Sequence, residues 1–373
     1  RHEEISAQSG MVVAQHVAAA QIGVEVLRRG GNAVDSAVST AFATGVLLPI
    51  WNGIGGGGLM TVHFDGDDGG TIDFGMQAPG LAHAEMYDLE DEQDVQGPSR
   101  RFSWMKVKNN ANTEGYTSIA IPGTVAGLST ALEKWGTIDL DQAVAPAVKL
   151  ARDGFPLPRT VALSLSERHA LLSRFSTTAD VYLNNGSPLS PGSHFVQSEY
   201  ARTLERLGRV GASELYGGET GARIAEDVEQ NGGYLRLSDF EQYQPIVRDQ
   251  VLSGTYRGVG ISAVKGPCAG PTVLEILNIL EQFDIAAMGH GTVDFLHTII
   301  EAIKLSAVDR FSFMGDPAVI GFPIDVLAGA EYAISRAAEI DSSRAKVFPE
   351  GDPWSCVGME KPDAFPEPAG GSP

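Results

Sequence analysis

The run Gly53-Ile54-Gly55-Gly56-Gly57-Gly58 carries the spacing G-x-G-x-x-G at Gly53, Gly55 and Gly58. In a dinucleotide site such glycines follow a strand and open a helix, whose N-terminus takes the pyrophosphate. Here a helical segment and "LPIWN" come first and a β-rich segment follows. With the order reversed, no helix N-terminus follows the glycines to take a pyrophosphate, so nucleotide binding is disfavoured. Two readings stay open: a tight turn where backbone passes close to backbone, or amides left free to approach a ligand. His297 and Glu301 lie four apart on a helical segment, a spacing able to hold a metal, but no second pair of ligands stands nearby in sequence. Cys268 has no nucleophile signature around it and reads as a structural cysteine. Asp35 lies on an otherwise apolar helix and, if buried, must find donors, either as a satisfied structural carboxylate or as support for a site. Asn185-Gly186-Ser187 is a formal glycosylation sequon, but Pro188 follows and a simple turn explains it better. No G-x-S-x-G elbow and no Walker loop is present, so these residues make no complete catalytic constellation.

The elements that would position such residues begin with a chain of 373 residues and 43% hydrophobic content, enough for one large domain or two ordinary ones. With 47 acidic against 27 basic residues the net charge is -20, which argues against nucleic-acid binding and against a polybasic membrane contact. Two cysteines, Cys268 and Cys356, are too few for a disulfide scaffold. The most apolar run, residues 33–50, is interrupted by Asp35, Ser36, Ser39, Thr40 and Thr44, which suits a buried helix and not a membrane span. No basic n-region with an apolar core opens the chain, although a leader removed before residue 1 stays open.

Apolar residues Val13, Val17, Ala20, Val24 and Leu27 step by four and three, predicting a helix over 12–29 that Gly30 or Gly31 stops. Asn32 caps a second helix running to Leu48, and Pro49 ends it. Residues 59–64 and 71–74 read as a hairpin across "DGDDGG". The acidic run 85–94 and the basic segment with Arg100, Arg101, Lys106 and Lys108 read as exposed loop. Helices are expected over 127–135 and 140–152, the second closed by Gly154, and further helices to about Gly232. A strand over 259–264 ends at "KGPCAGP", followed by a helix with Pro271 in its first turn and another over 293–307. From Phe348 prolines and glycines predict an extended, exposed tail.

Several segments together resemble the large subunit of γ-glutamyltranspeptidase: "GMVVAQHVAAAQIGVEVLRRGGNAVDSAV", "GIGGGGLM", "IDFGMQAPG", "IPGTVAGLSTALEKWGTIDL", "PAVKLARDGF", "LSGTYRG" and "DRFSFMGDP". Their order and spacing match over residues 10–342. The resemblance implies an α/β fold, the four-layer αββα sandwich of the N-terminal nucleophile hydrolases, completed by a small subunit cut from the same precursor. It assigns residues 1–347 to the large-subunit part of that domain, and 348–373 to a tail ending where the family's cleavage falls. The nucleophile is then a threonine at the N-terminus of the small subunit, and this chain carries no catalytic residue of its own. That threonine's α-amino group, with a pKa of about 8, serves as base. No metal or organic cofactor is implied. The implied partners are the small subunit and a small-molecule amide, with no nucleic acid and no membrane; the compartment stays open between periplasm, secretion and cytoplasm.

In the family the segment "DFREMAP" supplies an arginine for the α-carboxylate of a γ-glutamyl group. Here it reads Asp73-Phe74-Gly75-Met76-Gln77-Ala78-Pro79, with Gly75 in the arginine's place. The resemblance therefore makes Phe74, Gly75, Met76 and Gln77 the candidate substrate-binding residues, and a bidentate guanidinium anchor is missing. The family's "PPPSSGG" is also changed, to "KGPCAGPTV". An acylase or amidohydrolase with another acyl group is the favoured expectation. Two alternatives stand beside it: a genuine γ-glutamyltransferase or glutathione hydrolase in which Arg100, Arg101 or Lys106 replaces the arginine, and a catalytically silent binding relative.

Overall fold

The computed structural model describes residues 6–91, 95–96, 103–316, 324–358 and 360. Two compact units alternate along the chain: one from Arg1–Gly58, Phe74–Met86 and Ala111–Ile246, the other from Leu59–Asp73, Tyr87–Asn110 and Val247–Pro373.

The first unit is helical. Helix α1 (Val17–Arg28) starts later than the apolar stripe predicts, because His16 caps it, accepting the Ala18 amide at 3.1 Å. Gly30, at φ 94°, closes it in the left-handed region as expected. Helix α2 (Ala33–Leu47) is apolar nearly all round and accordingly buried. Asn32 accepts from the amides of Val34 and Asp35, and the Asp35 carboxylate returns a bond to the Asn32 amide at 2.8 Å, a reciprocal cap. Helix α3 (Thr124–Trp135), α4 (Leu140–Asp153) and α5 (Ser198–Val210) follow. Helix α2 packs against α1, α3 and α4, and α4 against α5. The predicted turn at Asn185-Gly186 joins two paired short strands, with φ of 48° and 76°.

Asp35 is completely buried. Besides the Asn32 amide it accepts from the Thr137 amide at 2.8 Å, the Thr137 hydroxyl at 2.5 Å and the Ile138 amide at 3.3 Å. Burial opposes its charge, but the Thr137 hydroxyl and the three amides outweigh that and hold the carboxyl below its ordinary range. One carboxylate thus joins the start of α2 to the turn between α3 and α4.

The second unit holds a three-stranded sheet in the order β1 (Gly58–Phe64), β2 (Asp67–Phe74), β3 (Ile246–Arg248). The first two strands form the predicted hairpin, turning through Gly66 at φ 80°. Strands β4 (Leu252–Tyr256) and β5 (Val259–Ala263) pair antiparallel. Helix α6 (Ala269–Leu280) packs on α7 (Val293–Phe313), α8 (Ala330–Ala337) and β4. Ile279, Leu305 and Ala333 form their common core. Helix α7 runs past the expected end at 307, and along another face Val293, Leu296, Ile300, Ile303 and Phe311 are exposed. No helix among the described residues is long and apolar enough to cross a membrane.

The expectation of an exposed tail from Phe348 is corrected at Phe348, Pro353 and Trp354, which are buried, whereas Pro349, Asp352, Ser355, Val357 and Gly358 are exposed. Phe348 joins the α6–α8 core, with the Lys304 ammonium 5.2 Å from its ring centre. Trp354 is buried edge-to-face on Phe313 at 5.1 Å. Burying two large aromatic rings outweighs the turn-prone composition around them. Residues 359 and 361–373 lie outside the described residues.

A buried ionic cluster fixes the same segment. Asp309 of α7 accepts from the Tyr332 hydroxyl at 2.7 Å and the Gly351 amide at 2.8 Å, and pairs with Arg336 at 2.9 Å. Arg336 also donates to the Pro349 carbonyl at 3.0 Å. Glu275 of α6 is completely buried and neither of its oxygens finds a hydrogen bond of good geometry. Burial, then the Asp309 carboxylate, push its pKa well above the carboxylate range.

Two buried carboxyls therefore act on stability with opposite signs. Asp35→Ala leaves several donors without a partner and costs about 3 kcal/mol in urea unfolding. Its pKa is depressed from 3.8 in the native state, so that contribution is present above this value and fades as pH falls through the native pKa. Glu275 is protonated when folded but ionises when unfolded, so its contribution is full below 4.5 and is lost as pH rises toward the native pKa. Glu275→Gln is expected to match the parent at about pH 4 and to exceed it at neutral pH, the gap widening by up to about 1.4 kcal/mol per pH unit. Urea midpoints across pH for both variants check this pair.

Candidate functional site

The glycine run links α2 to β1 and lies entirely in the first unit up to Gly58. It begins against α2: a methyl group on Gly45 would lie 3.0 Å from Gly53 Cα, so the helix and the turn meet backbone to backbone. The Gly56 carbonyl then accepts from the amides of Gly123 at 2.8 Å and Thr124 at 3.1 Å. Helix α3 has no side-chain cap, and this carbonyl takes the place of one.

The next two glycines make room for Phe74. A methyl group on Gly57 would sit 2.7 Å from the Phe74 carbonyl oxygen and 2.8 Å from the Met76 nitrogen, and one on Gly58 would strike the Phe74 ring at 2.6 Å. From the other side, any side chain on Gly123 would collide with the Phe74 carbonyl and the Tyr243 hydroxyl, and any on Gly127 with the Phe74 ring. Four glycines therefore form a slot of bare backbone around one buried aromatic residue.

That slot aims the segment beyond it. The Tyr243 hydroxyl donates to the Gly75 carbonyl at 2.9 Å, and Tyr243 itself stacks on Tyr216 with ring centres 5.6 Å apart. Gln77 pairs with Ile121 through both backbone groups, at 3.2 and 2.8 Å. Between these anchors Met76 is left 58% exposed. It forms, with Phe74, part of the wall of a pocket of ≈ 580 Å³ that also includes Phe42, Trp51, Leu128 and the glycine run. No charged side chain lines this pocket.

Of the four candidate site residues, Phe74 and Met76 line the pocket, whereas Gly75 and Gln77 support it from the same segment. Arg100 and Arg101 lie outside the described residues. Lys106 is exposed in the second unit, where its carbonyl accepts from the Glu90 amide at 2.8 Å. The metal spacing of His297 and Glu301 is used otherwise: His297 bonds the Asp341 carbonyl at 2.8 Å, and Glu301 pairs with Lys304 at 2.6 Å. Among the described residues no group of three or more His, Cys, Asp and Glu side chains could hold a metal. Cys268 is a free thiol at the start of α6, its sulfur directed at the Val264 carbonyl at 3.4 Å. Gly123, Gly127, Tyr243 and Tyr200 were not singled out from sequence; the four-residue spacing of the first two, which bares one helix face, is the signal that could have found them.

The family model for gamma-glutamyltranspeptidase matches residues 19–370. The chain is 34% identical over 358 residues to the glutathione hydrolase proenzyme of Escherichia coli K12, covering 95% of this chain and 59% of that protein. It is 35% identical over 348 residues to the acylase ACY 1 proenzyme of Pseudomonas sp. SE83, covering 93% and 61%. The chain thus spans about six tenths of the length of these curated relatives. Among solved structures, Helicobacter pylori gamma-glutamyltranspeptidase superposes with a TM-score of 0.84 at 30% identity, over 96% of this chain and 97% of that one. The fold is that of the N-terminal nucleophile hydrolases, α/β in class. Within that class, the chain belongs to the gamma-glutamyltranspeptidase family.

The slot makes one contrast measurable. Gly57→Ala must displace backbone around Phe74 and is expected to cost about 1–3 kcal/mol. A methyl group on Gly55 meets nothing within 4 Å, so Gly55→Ala should stay within about 0.5 kcal/mol of the parent. Thermal unfolding of the two variants, in the same run, decides it.

Proposed function

We propose that this chain is the large subunit of an amide hydrolase that transfers an acyl group lacking a free α-carboxylate to the N-terminal threonine of a small subunit. The observation that carries the reading is the neutral wall beside Met76, together with Gly75 where the family's arginine would stand. A carboxylate entering such a wall would lose water and gain no cation, a cost of several kcal/mol. An uncharged acyl group loses little and gains apolar contact with Phe74, Met76 and Trp51.

The chemistry would run in two steps. The threonine hydroxyl adds to the amide carbonyl, its proton passing to the α-amino group; the carbon–nitrogen bond breaks and the amine leaves with that proton. Water then attacks the ester, and the acid and the threonine are released. Donors aimed at the developing oxyanion would come from the small subunit. The large subunit's part is to hold the acyl group so that its carbonyl meets the hydroxyl. Acylase and glutathione hydrolase names both occur among relatives of similar identity, so the family alone does not choose between the acyl groups.

The test is turnover by the purified two-chain protein of a simple acyl anilide and of a γ-glutamyl anilide, with Gly75→Arg beside the parent. The parent should favour the simple acyl anilide in kcat/KM by at least about tenfold, and Gly75→Arg should gain about tenfold to a hundredfold on the γ-glutamyl substrate. Equal turnover of both anilides by the parent would sink the reading and point to a replacement cation. No turnover of either, with no N-terminal threonine or serine on the partner, would leave a binding protein.

A further inference from the structure

A second cavity, of ≈ 600 Å³, lies in the same unit as the pocket beside Met76. The two have a wall in common: Gly45, Pro49, the turn 52–55 and Tyr200 line both. Most of that partition is glycine or turn backbone, and the largest side chain in it is the Tyr200 phenol. We propose that Tyr200 determines acyl-chain specificity, its ring closing the floor of the pocket beside Met76 and separating it from the second chamber. The proposal rests on the amide-hydrolase reading above for its substrate class.

The ring is held firmly. Tyr200 stands in the first turn of α5, next to Gln197, whose side chain donates to the Val46 carbonyl of α2 at 2.9 Å. Its hydroxyl accepts from the Ile54 amide in the glycine run, and burial pushes its pKa up to about 12. A methyl group on Gly45 would lie 3.6 Å from that oxygen and one on Gly53 4.0 Å away, so the phenol fits against bare backbone on both sides. A side chain packed on α2 and both packed on and bonded to the glycine turn does not swing aside to admit a ligand.

The chambers differ in chemistry. The pocket beside Met76 carries no charge, whereas the second has the hydroxyls of Thr177, Thr178 and Ser198 with Val181 and Val196, and Asp180 and Glu199 as its charged residues. Glu199 is tied to Arg202 at 2.5 Å. The second wall thus holds no lysine or arginine of its own, and a longer acyl chain reaching it should not end in a carboxylate. Removing the phenol would join cavities of ≈ 580 and ≈ 600 Å³, about doubling the volume open to the chain.

The experiment uses the two-chain protein and linear acyl anilides of increasing length, with Tyr200→Leu, Tyr200→Ala and Tyr200→Phe. For the parent, kcat/KM should rise about fourfold per methylene and then break sharply where the chain meets the ring. Tyr200→Leu and Tyr200→Ala should move the break to longer chains by several carbons, with the change in KM. Tyr200→Phe, which keeps the ring and loses only the bond to Ile54, should leave the break where it was. Binding of neutral alkyl amides of the same lengths, followed by Trp51 emission with Trp51→Phe as control, reports the same break without catalysis. Should no anilide be turned over while the amides still show a break that moves with Tyr200→Leu, the hydrolase reading fails and the floor stands. A break that stays put in both Tyr200→Leu and Tyr200→Ala, or that moves as far in Tyr200→Phe, overturns the assignment.

Discussion

A single carboxylate without a cation organises the first unit. Asp35 is buried in the most apolar helix of the chain, where an isolated charge would be prohibitive. It persists because its oxygens accept from a hydroxyl and three amides, and those donors come from two places far apart in sequence. Gly136 packs so closely on it that any larger residue would press on the carboxylate at 2.8 Å. With its start pinned to the α3–α4 turn, α2 cannot slide or rotate, and the glycine run leaving its other end inherits that fixed position. The pocket depends on a hydrogen-bond network at the opposite end of the helix.

Most of what shapes the site is absence of side chains. Phe74 is positioned by four glycines rather than by partners that grip it, and the Gly56 carbonyl caps α3 where another protein would use serine or aspartate. Such a slot is rigid because close-packed backbone has no rotamers to exchange. The glycines of the run are accounted for by turning the chain, capping a helix through the Gly56 carbonyl and admitting a ring, with a strand and not a helix after them. The G-x-G-x-x-G spacing is real, but its physical cause is packing.

Local rules carried the reading of sequence furthest where signals were local. Asn32 before an apolar run predicted the capped start of α2, "DGDDGG" predicted the hairpin, and Gly154 marked the end of α4 within a residue. The start of α1 was misjudged because a histidine served as cap, an uncommon choice. Phe348 and Trp354 were hidden among prolines and glycines, and only the finished α6–α8 surface reveals what they bury against. The candidate segment 74–77 was legible through the family resemblance, including the glycine that departs from it. Tyr200 was not legible, since nothing near it in sequence announces that it will stand against Gly45 and Gly53. Contacts across more than a hundred positions are products of the fold and leave little local trace.

The exposed face of α7 bears on how the chain behaves in bulk water. Val293, Leu296, Ile300, Ile303 and Phe311 recur at intervals of three, four and eight, so they form one continuous strip along the helix. Strips of that kind adhere to one another. Opposing this is the net charge of -20, which repels copies over a distance that shrinks from about 30 Å in dilute buffer to about 8 Å at physiological salt. Colloidal stability of this polypeptide is therefore a contest between a sticky strip and a shared electrostatic field, and ionic strength alone can change which of them prevails.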